Sequence, residues 1–413
     1  MTKKTNIASF LFRQIALLLM VLFLSSYTYS QKLIEGVVVD YQGKQIAGAS
    51  VYLNNTTIGT ITKDDGTFSL VVPDGNFELI ISHIGYTTRK ENFNNINYST
   101  PLRFVLVPET NVLDEVVLKP TIYNQEWRNN LAVFKNTFLG RTRLAKTCEL
   151  VNPKVLHFER NKKTGSLTAV TREPLKIKHK GFGYIIEYDL VDYILENRKL
   201  TYLGYSKYQE LPGGKSKQRR WKENRRLAYN GSRMHLVRSL RERKLKEEGY
   251  IIHQFRRIPN PNRPNETLIL QARNTIRSYK GVLDFSRRIQ SPKNALDSAM
   301  VILQKARLPK YNDQYYKRNL QEDDLIYERD SNIYLKFDNF LAITYTKEKE
   351  EPNYINFLSR RRTRGNQISY INLTADEVIL GPSGEIINPL DYFSEGYWAY
   401  EQYADQLPLN YTP

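Results

Sequence analysis

Histidine, cysteine and paired carboxylates are the residue types that most often carry catalysis or bind metal ions. In this sequence few of these residues have the spacing that catalysis or metal binding requires. The five histidines are scattered, with no His-x-x-x-His pair, and Cys148 is the single cysteine. A zinc site needs such ligands at close spacing. Acidic pairs such as Asp64-Asp65 and Asp323-Asp324 are typical of surface turns. The sequence therefore predicts no catalytic residue, no metal site and no bound cofactor.

Two glycine-containing segments approach catalytic motifs but lack a required residue. Residues 213–216 (Gly-Gly-Lys-Ser) are similar to the end of a phosphate-binding loop, yet Gln209 stands where the loop requires its first glycine. Residues 204–208 (Gly-Tyr-Ser-Lys-Tyr) approach the turn that presents a nucleophilic serine, but Tyr208 replaces the final glycine. We expect both segments to form turns. A non-catalytic protein is favoured. The alternative is an exported hydrolase acting on glycan or peptide, which would need a pocket of convergent carboxylates or histidines.

The strongest chemical signal is a basic stretch from Lys215 to Lys246, which contains 13 Lys or Arg residues and only 2 acidic residues. Arginine suits phosphate and carboxylate because its guanidinium group donates parallel hydrogen bonds. The residues predicted to contact an anionic surface are Lys217, Arg219, Arg220, Arg225, Arg226 and Arg233. A second basic cluster comprises Arg360, Arg361, Arg362 and Arg364. The alternative is a solvated helical face with ordinary salt bridges.

The first 30 residues are typical of a secretory signal peptide. A basic start precedes an apolar run over residues 15–24, and the small residues Thr28 and Ser30 fit the positions before a cleavage site. The apolar run is about half the ~20 residues that a membrane-spanning helix requires. We predict cleavage between Ser30 and Gln31, an exported protein in the periplasm or at the outer membrane, and no transmembrane span after cleavage. An uncleaved anchor is the alternative.

Export changes which anion the basic stretch would meet. In the cytoplasm such a stretch would indicate nucleic acid. An exported protein instead meets lipopolysaccharide phosphates, lipid headgroups and acidic glycans. Residues 31–118 have a net charge of −4, whereas the chain from Lys119 onward carries +19. The predicted partner is therefore an anionic envelope surface or an envelope protein, and not nucleic acid.

The sequence before the basic part predicts an all-β domain over residues 31–118. Apolar residues alternate along short runs such as residues 68–72 (Phe-Ser-Leu-Val-Val), which places Phe68 in the core. Turn-forming clusters such as residues 64–66 (Asp-Asp-Gly) separate the runs. About seven strands with turns every ~8–12 residues are typical of a two-sheet sandwich.

Four motifs stand in order within this domain: Ile34-Glu35-Gly36-Val37-Val38-Val39-Asp40, Ile46-Ala47-Gly48-Ala49-Ser50-Val51, Gly59-Thr60 with Asp64-Asp65-Gly66-Thr67-Phe68, and His83-Ile84-Gly85-Tyr86. Together they resemble the carboxypeptidase-regulatory-like family. The resemblance implies a transthyretin-like sandwich without catalytic residues, and an exported protein of Gram-negative bacteria. Residues 111–118 also resemble the segment that follows this module in TonB-dependent receptors, where an energy-coupling protein takes an extended strand. The alternative for residues 111–118 is a last strand or linker of the sandwich.

After residue 119 the pattern changes to mixed helices and strands. Trp127, Leu131, Phe134 and Phe138 follow helical spacing up to Gly140. A second helix is predicted over residues 232–248, with Ser232 as N-cap and Leu236 and Leu240 facing inward. Strands are predicted over residues 154–160, 166–172, 183–190, 199–210, 333–346, 367–373 and 377–380.

The predicted fold class is therefore mixed: an N-terminal all-β transthyretin-like sandwich (31–118) followed by a basic α+β domain with antiparallel sheet (119–413). The second part forms either one domain or two closely packed ones. Its segments Phe138-Leu139-Gly140, Asn152-Pro153, Arg172-Glu173-Pro174-Leu175, Tyr188-Asp189-Leu190, Gly396-Tyr397-Trp398 and Leu407-Pro408 resemble an uncharacterised region that accompanies the same module in related exported proteins. That resemblance implies no activity.

Overall fold

A computed structural model of the protein describes residues 31–73, 76–94, 101–108, 121–171, 173–284, 289–357 and 362–413. The chain forms two compact units. The first contains the residues up to Tyr229 together with Gln402–Pro413, and the second contains Asn230–Glu401. The predicted signal peptide, the TonB-box-like segment 111–118 and the predicted domain boundary after residue 118 lie outside the described residues, so these stay predictions.

The first unit begins with a sandwich of seven strands. They are β1 (Gln31–Asp40), β2 (Ser50–Leu53), β3 (Gly59–Ile61), β4 (Thr67–Pro73), β5 (Asn76–Ser82), β6 (Arg89–Asn94) and β7 (Leu102–Leu106). One sheet has the order β4-β1-β7, in which β1 pairs antiparallel with β4 and parallel with β7. The other sheet has the order β3-β2-β5-β6. The predicted sandwich is therefore confirmed.

Alternation along the strands builds the core of the sandwich. Phe68, Leu70 and Val72 of β4 are buried, with Phe68 only 3% exposed, whereas Val71 between them is 47% exposed. Phe68 lies 6.0 Å from Phe104 of β7, measured between ring centroids. The side chains from both sheets form one apolar cluster. The predicted strand register is therefore correct.

The rest of the first unit comprises α1 (Gln125–Phe134), a π-helix (Lys135–Leu139), 3₁₀ turns (Ala145–Thr147, Pro153–Val155, Tyr403–Asp405), β8 (Cys148–Leu150), β9 (Leu156–Arg160), β10 (Leu167–Thr171), β11 (Leu175–His179), β12 (Tyr184–Glu196), β13 (Lys199–Glu210) and α2 (Lys215–Tyr229). The strands form a sheet of order β8-β11-β12-β10-β9, and β13 pairs with β12. Residues 204–208 lie inside β13, so the turn predicted there is wrong. Their side chains alternate along a long hairpin of β12 and β13. In this hairpin Tyr184 pairs with Glu210 at one end and Glu196 pairs with Lys199 at the other.

The C-terminal residues complete the core of the first unit. Tyr403 is buried and stacks on Phe138 of the π-helix, with 4.8 Å between ring centroids. The π-helix ends at Gly140, whose φ of +99° suits glycine. His179 Nε2 lies 2.8 Å from the carbonyl oxygen of Ala404. The predicted helix ending at Gly140 is thus found, with a wider last turn that aims both Phe138 and Leu139 inward.

The second unit comprises α3 (Arg233–Arg241), β14 (Tyr250–Pro259), α4 (Glu266–Ser278), α5 (Ala295–Lys305), β15 (Tyr311–Lys317), a 3₁₀ turn (Glu322–Asp324), β16 (Ile326–Arg329), β17 (Asn332–Leu335), β18 (Phe340–Lys349), α6 (Pro352–Phe357), β19 (Asn366–Leu373), β20 (Val378–Leu380), β21 (Tyr392–Gly396) and α7 (Tyr397–Tyr400). Its larger sheet has the order β15-β14-β18-β19-β21, and its smaller sheet has the order β16-β17-β20. All pairings recorded in both sheets are antiparallel. The predicted mixed fold class is confirmed.

Two predicted elements of the second unit have different bounds. The helix after the N-cap Ser232 ends at Arg241 instead of residue 248, because Arg243 adopts a φ of +56° and the chain turns to bury Leu245. Leu236 and Leu240 do face inward, as predicted. The strand predicted over residues 333–346 is two strands, β17 and β18, in different sheets. No helix of the described residues is long and apolar enough to cross a membrane.

Candidate functional site

Helix α2 carries five of the six residues predicted to bind an anionic surface. Trp221 anchors the helix: its ring is buried, and its indole N–H donates to the carbonyl oxygen of Lys180 at 2.9 Å. Asn224 donates to the carbonyl oxygen of Gly181 at 2.8 Å. Gly183 has a φ of +76°, and a Cβ there would overlap the Trp221 ring. One face of α2 is therefore fixed against the loop between β11 and β12.

The opposite face of α2 is a row of cations. Lys215, Arg219 and Lys222 recur at positions i, i+4 and i+7, which lie on one side of a helix. Arg220 is exposed beside this row, and Lys217 is exposed near the start of the helix on the same side as Trp221. None of these five cations forms an ion pair or a hydrogen bond from its side chain with any residue that the structure describes. We call Lys215, Lys217, Arg219, Arg220 and Lys222 the α2 cation surface. Lys215 and Lys222 were not among the predicted contacts, although their helical spacing with Arg219 could have revealed them.

Arg226 and Arg225 differ from this surface, although both were predicted to belong to it. Arg226 pairs with Glu223 at 2.8 Å on the exposed side of the helix. The Arg225 side chain is 15% exposed, and its guanidinium carbon lies 4.0 Å from the ring centroid of Tyr184. Its Nε donates to the carbonyl oxygen of Phe182 at 2.9 Å, and its Nη1 donates to Glu210 at 2.9 Å. Arg225 therefore holds α2 to the hairpin and is not available to an external anion.

The basic stretch is divided between the two units, because the boundary between them falls after Tyr229. Arg233, the sixth predicted contact, begins α3 in the second unit and lies 5.8 Å from the Tyr392 ring centroid. Arg238 donates to the carbonyl oxygen of Ser383 at 2.9 and 2.8 Å, and Arg241 donates to that of Leu380 at 2.6 Å. Arg238 and Arg241 therefore bind carbonyl oxygens of their own unit, whereas Arg233 lies near an aromatic ring.

The second basic cluster is also partly used within the fold. Arg362 forms a two-pronged ion pair with the buried carboxylate of Glu350, at 2.6 and 2.7 Å. Arg364 donates to the backbone carbonyl oxygen of Glu350 at 2.6 Å. Arg360 and Arg361 lie outside the described residues. Arg362 therefore pairs with the buried acid, and Arg364 binds the backbone of the same residue.

Two histidines and the cysteine, residue types that often act in catalysis, are buried or bonded within the fold. His179 is fully buried: its Nδ1 accepts from the backbone N–H of Phe182 at 3.0 Å, and burial lowers its pKa to about 4. His235 accepts from the N–H of Gly231 at 3.1 Å and contacts Glu248 at 3.1 Å. Burial raises the pKa of the Cys148 thiol, which disfavours the thiolate.

The described residues form no metal site, and a cavity in the second unit is too small for an organic substrate. Within these residues no three His, Cys, Asp or Glu side chains are placed to hold a metal ion. A cavity in the core of the second unit is lined mainly by apolar side chains such as Leu236, Ile343 and Trp398, and has a volume of about 10 Å³. Pockets for organic ligands are typically ~300–1,000 Å³. This cavity therefore offers the hydrolase hypothesis no substrate site.

A polar contact inside the first unit was missed by sequence reasoning. The phenol of Tyr52 donates to Asp189 Oδ2 of β12 at 3.1 Å, and burial raises the pKa of Asp189. The N–H of Asn55 donates to the carbonyl oxygen of Ser206 at 2.8 Å. Ile80, on the same face of β5 as Tyr52 on β2, is fully buried. The sandwich thus uses one outer face to pack against the β12–β13 hairpin.

Comparison with known proteins identifies the module that this sandwich represents. Residues 34–118 match the family model of the CarboxypepD_reg-like domain. The chain therefore contains a carboxypeptidase-regulatory-like domain, as its motifs predicted. The match ends at residue 118, where the basic part of the chain begins.

Two curated relatives share this region. The TonB-dependent receptor SusC of Bacteroides thetaiotaomicron is 33% identical over 117 residues, which is 28% of this chain and 11% of that receptor. The TonB-dependent receptor P39 of Formosa agariphila is 33% identical over 111 residues, which is 26% of this chain and 10% of that receptor. The chain thus spans about a tenth of the length of these relatives.

Two solved structures show a weak likeness. A DUF3823 family protein from Bacteroides ovatus is 11% identical with a TM-score of 0.16, over 45% of this chain and 83% of that one. A protein of unknown function from Bacteroides fragilis is 9% identical with a TM-score of 0.16, over 90% of this chain and 96% of that one. At these scores neither structure supports an inference about this chain.

Proposed function

We propose that this chain is a non-catalytic protein of the bacterial cell envelope, and that its first unit docks on an anionic envelope component through the α2 cation surface. The observation that carries the proposal is the set of five exposed cations on one anchored helix, none of them paired with a described acidic residue. Cations that served the fold would be paired, as Arg225 and Arg226 are. Unpaired cations on a fixed helix attract an external anion.

An envelope location is supported by two independent features of the sequence. The first 30 residues have the layout of a secretory signal peptide. The carboxypeptidase-regulatory-like domain is shared with two TonB-dependent receptors. We infer that the protein is exported and acts in the periplasm or at the outer membrane, where lipopolysaccharide, lipid headgroups and acidic glycans supply phosphate and carboxylate.

Contacts inside the first unit connect the sandwich with helix α2. The sandwich contacts the β12–β13 hairpin through Tyr52 and Asn55, and α2 is held to the same hairpin through Arg225. The C-terminal residues also contact the sandwich, because the N–H of Leu409 donates to the carbonyl oxygen of Asn55 at 2.7 Å. We propose that the sandwich contacts an envelope protein while the cation surface of the same unit contacts the anionic surface.

A binding experiment with the purified full chain tests this function. The probes are lipopolysaccharide, vesicles of phosphatidylglycerol, an acidic polysaccharide such as alginate, and neutral phosphatidylcholine vesicles as the control. Binding to one anionic probe should weaken strongly with salt, because the screening length falls from ~10 Å at 0.1 M to ~3 Å at 1 M. The probe that binds names the partner class. Equal binding to neutral vesicles, or no binding to any anionic probe, would overturn the proposal.

A further inference from the structure

Strand β15 is an open edge of the larger sheet in the second unit. It pairs with β14 on one side, and no residue that the structure describes pairs with its other side. All seven of its residues are exposed, including Tyr311, Tyr315 and Tyr316. By contrast, the five residues of β21 at the opposite edge are all half-buried. An exposed edge of this length is a template for a further strand.

The hydrogen-bonding groups of this edge can be assigned from the ladder. Asn260 N–H donates to the carbonyl oxygen of Lys310 at 3.1 Å, just before the paired residues begin. Pairing then continues without a break from Pro259–Tyr311 to Phe255–Tyr315. In an antiparallel ladder alternate residues point their N–H and C=O groups to opposite sides. The groups of Asn312 and Gln314 therefore point to β14, and those of Tyr311, Asp313 and Tyr315 point outward.

We propose that β15 pairs antiparallel with β15 of a second copy of this chain, around a two-fold axis at Tyr315. The two sheets would join into one, and the interface would be the self-complementary type that closes a dimer. In this register Tyr315 opposes its own copy through outward-pointing N–H and C=O groups. Shifting the axis to Asp313 would oppose two like charges, which is unfavourable.

Charge complementarity selects this register. Counted from the axis at Tyr315, Asp313 opposes Lys317 of the second copy. Where the bulge at Tyr316 offsets the ladder by one residue, Asp313 opposes Arg318 instead. Opposite charges facing each other across strands stabilise the pairing. Asp313 can accept this partner, because Arg257 contacts it at 3.4 Å and binds Glu395 more closely, at 2.9 and 2.7 Å. The charge of Lys317 also disfavours strands that lack an acidic residue at that position.

The contact is small, so the dimer should be weak and dependent on concentration. Sedimentation velocity of the full chain over a wide concentration range should therefore show a monomer–dimer equilibrium. Two variants carry reversed charges: Lys317→Asp/Arg318→Asp and Asp313→Lys. Each variant alone opposes like charges and should stay monomeric. An equimolar mixture of the two opposes unlike charges at both positions and should regain association.

The mixture is the decisive control. If a variant stayed monomeric because it had lost its fold, mixing it with the other variant could not restore association. Thermal unfolding of each variant should match the parent, since exposed substitutions usually change stability little. A parent chain that stays monomeric at every concentration would overturn the proposal. Variants that associate as the parent does, or a mixture that remains monomeric while the parent dimerises, would also overturn it.

Discussion

The guanidinium group of Arg225 lies 4.0 Å from the ring centroid of Tyr184, and the same side chain donates to Phe182 and Glu210. This arrangement divides the cations of α2 into two classes. Arg225 on the inner side stabilises the fold. Arg219, six residues earlier and on the outer side, is exposed and makes no recorded contact with a described residue. The two classes should respond differently to mutation.

Arg225→Gln should destabilise the first unit, whereas Arg219→Gln should not. The Arg225 variant loses a hydrogen bond from a charged group, worth about 1.5–3 kcal/mol, and a cation–π contact worth about 1 kcal/mol. A surface substitution such as Arg219→Gln usually stays within about 0.5 kcal/mol. Urea unfolding followed by far-UV circular dichroism measures both. Equal stability of the two variants would show that Arg225 is not a structural residue.

Phe68→Ala should cost the sandwich about 3–5 kcal/mol, because it empties a site in a packed core. Val71→Ala is the matched control, since Val71 lies on the outer face of the same strand. The control should change the unfolding free energy by about 0.5 kcal/mol or less. Chemical unfolding of the full chain gives both values. A loss of similar size at Val71 would mean that the register of β4 is shifted by one residue.

Stability of the first unit should fall in mild acid because of His179. Its folded pKa is about 4, and the ordinary value of 6.5 applies after unfolding. The unfolded state therefore binds a proton that the folded state refuses. This stabilisation is complete above pH 6.5 and is lost as the pH falls towards 4. The loss is on the order of 3 kcal/mol.

Urea unfolding at pH 7 and at pH 4.5 tests the role of His179. His179→Gln cannot titrate in this range, so the fall in stability of its first unit between the two pH values should be smaller than in the parent. His235, whose pKa is also lowered by burial, belongs to the second unit and serves as the comparison. An identical fall in the parent and in His179→Gln would assign the acid sensitivity to other groups.

Elements defined by local alternation could be predicted from the sequence, and contacts between distant segments could not. β13 was predicted with its observed bounds, and Phe68 in the core, because a period of two is visible within a few residues. α2 was missed as a helix because Trp221 is its only large apolar residue before Leu227. Nothing near Arg225 in the sequence shows that the carbonyl oxygen of Phe182 will lie beside it.

The outer face of the sandwich gives a second example. Ile80 and Tyr52 alternate with core residues, so a two-layer sandwich would place both in solvent, yet both are buried. The run Leu79-Ile80-Ile81 is a signal that could have been used, because a continuous apolar run is typical of a strand covered on both faces. The identity of the covering element, β13, depends on the tertiary fold.

A charge-matched pair of variants shows whether α2 presents its cations to an anionic envelope surface. The test variant is Lys215→Gln/Arg219→Gln/Lys222→Gln, whose three residues share one side of the helix. The control variant, Lys162→Gln/Lys163→Gln/Lys176→Gln, removes the same charge from three other exposed lysines of the first unit.

Binding of both variants and the parent to lipopolysaccharide and to phosphatidylglycerol vesicles is compared by cosedimentation. A cation near an anionic surface contributes about 1 kcal/mol, so the test variant should bind the recognised probe roughly a hundredfold more weakly. The control variant should keep the parental affinity, and both should unfold as the parent does. A test variant that binds as tightly as the control would show that α2 does not bind the anionic surface.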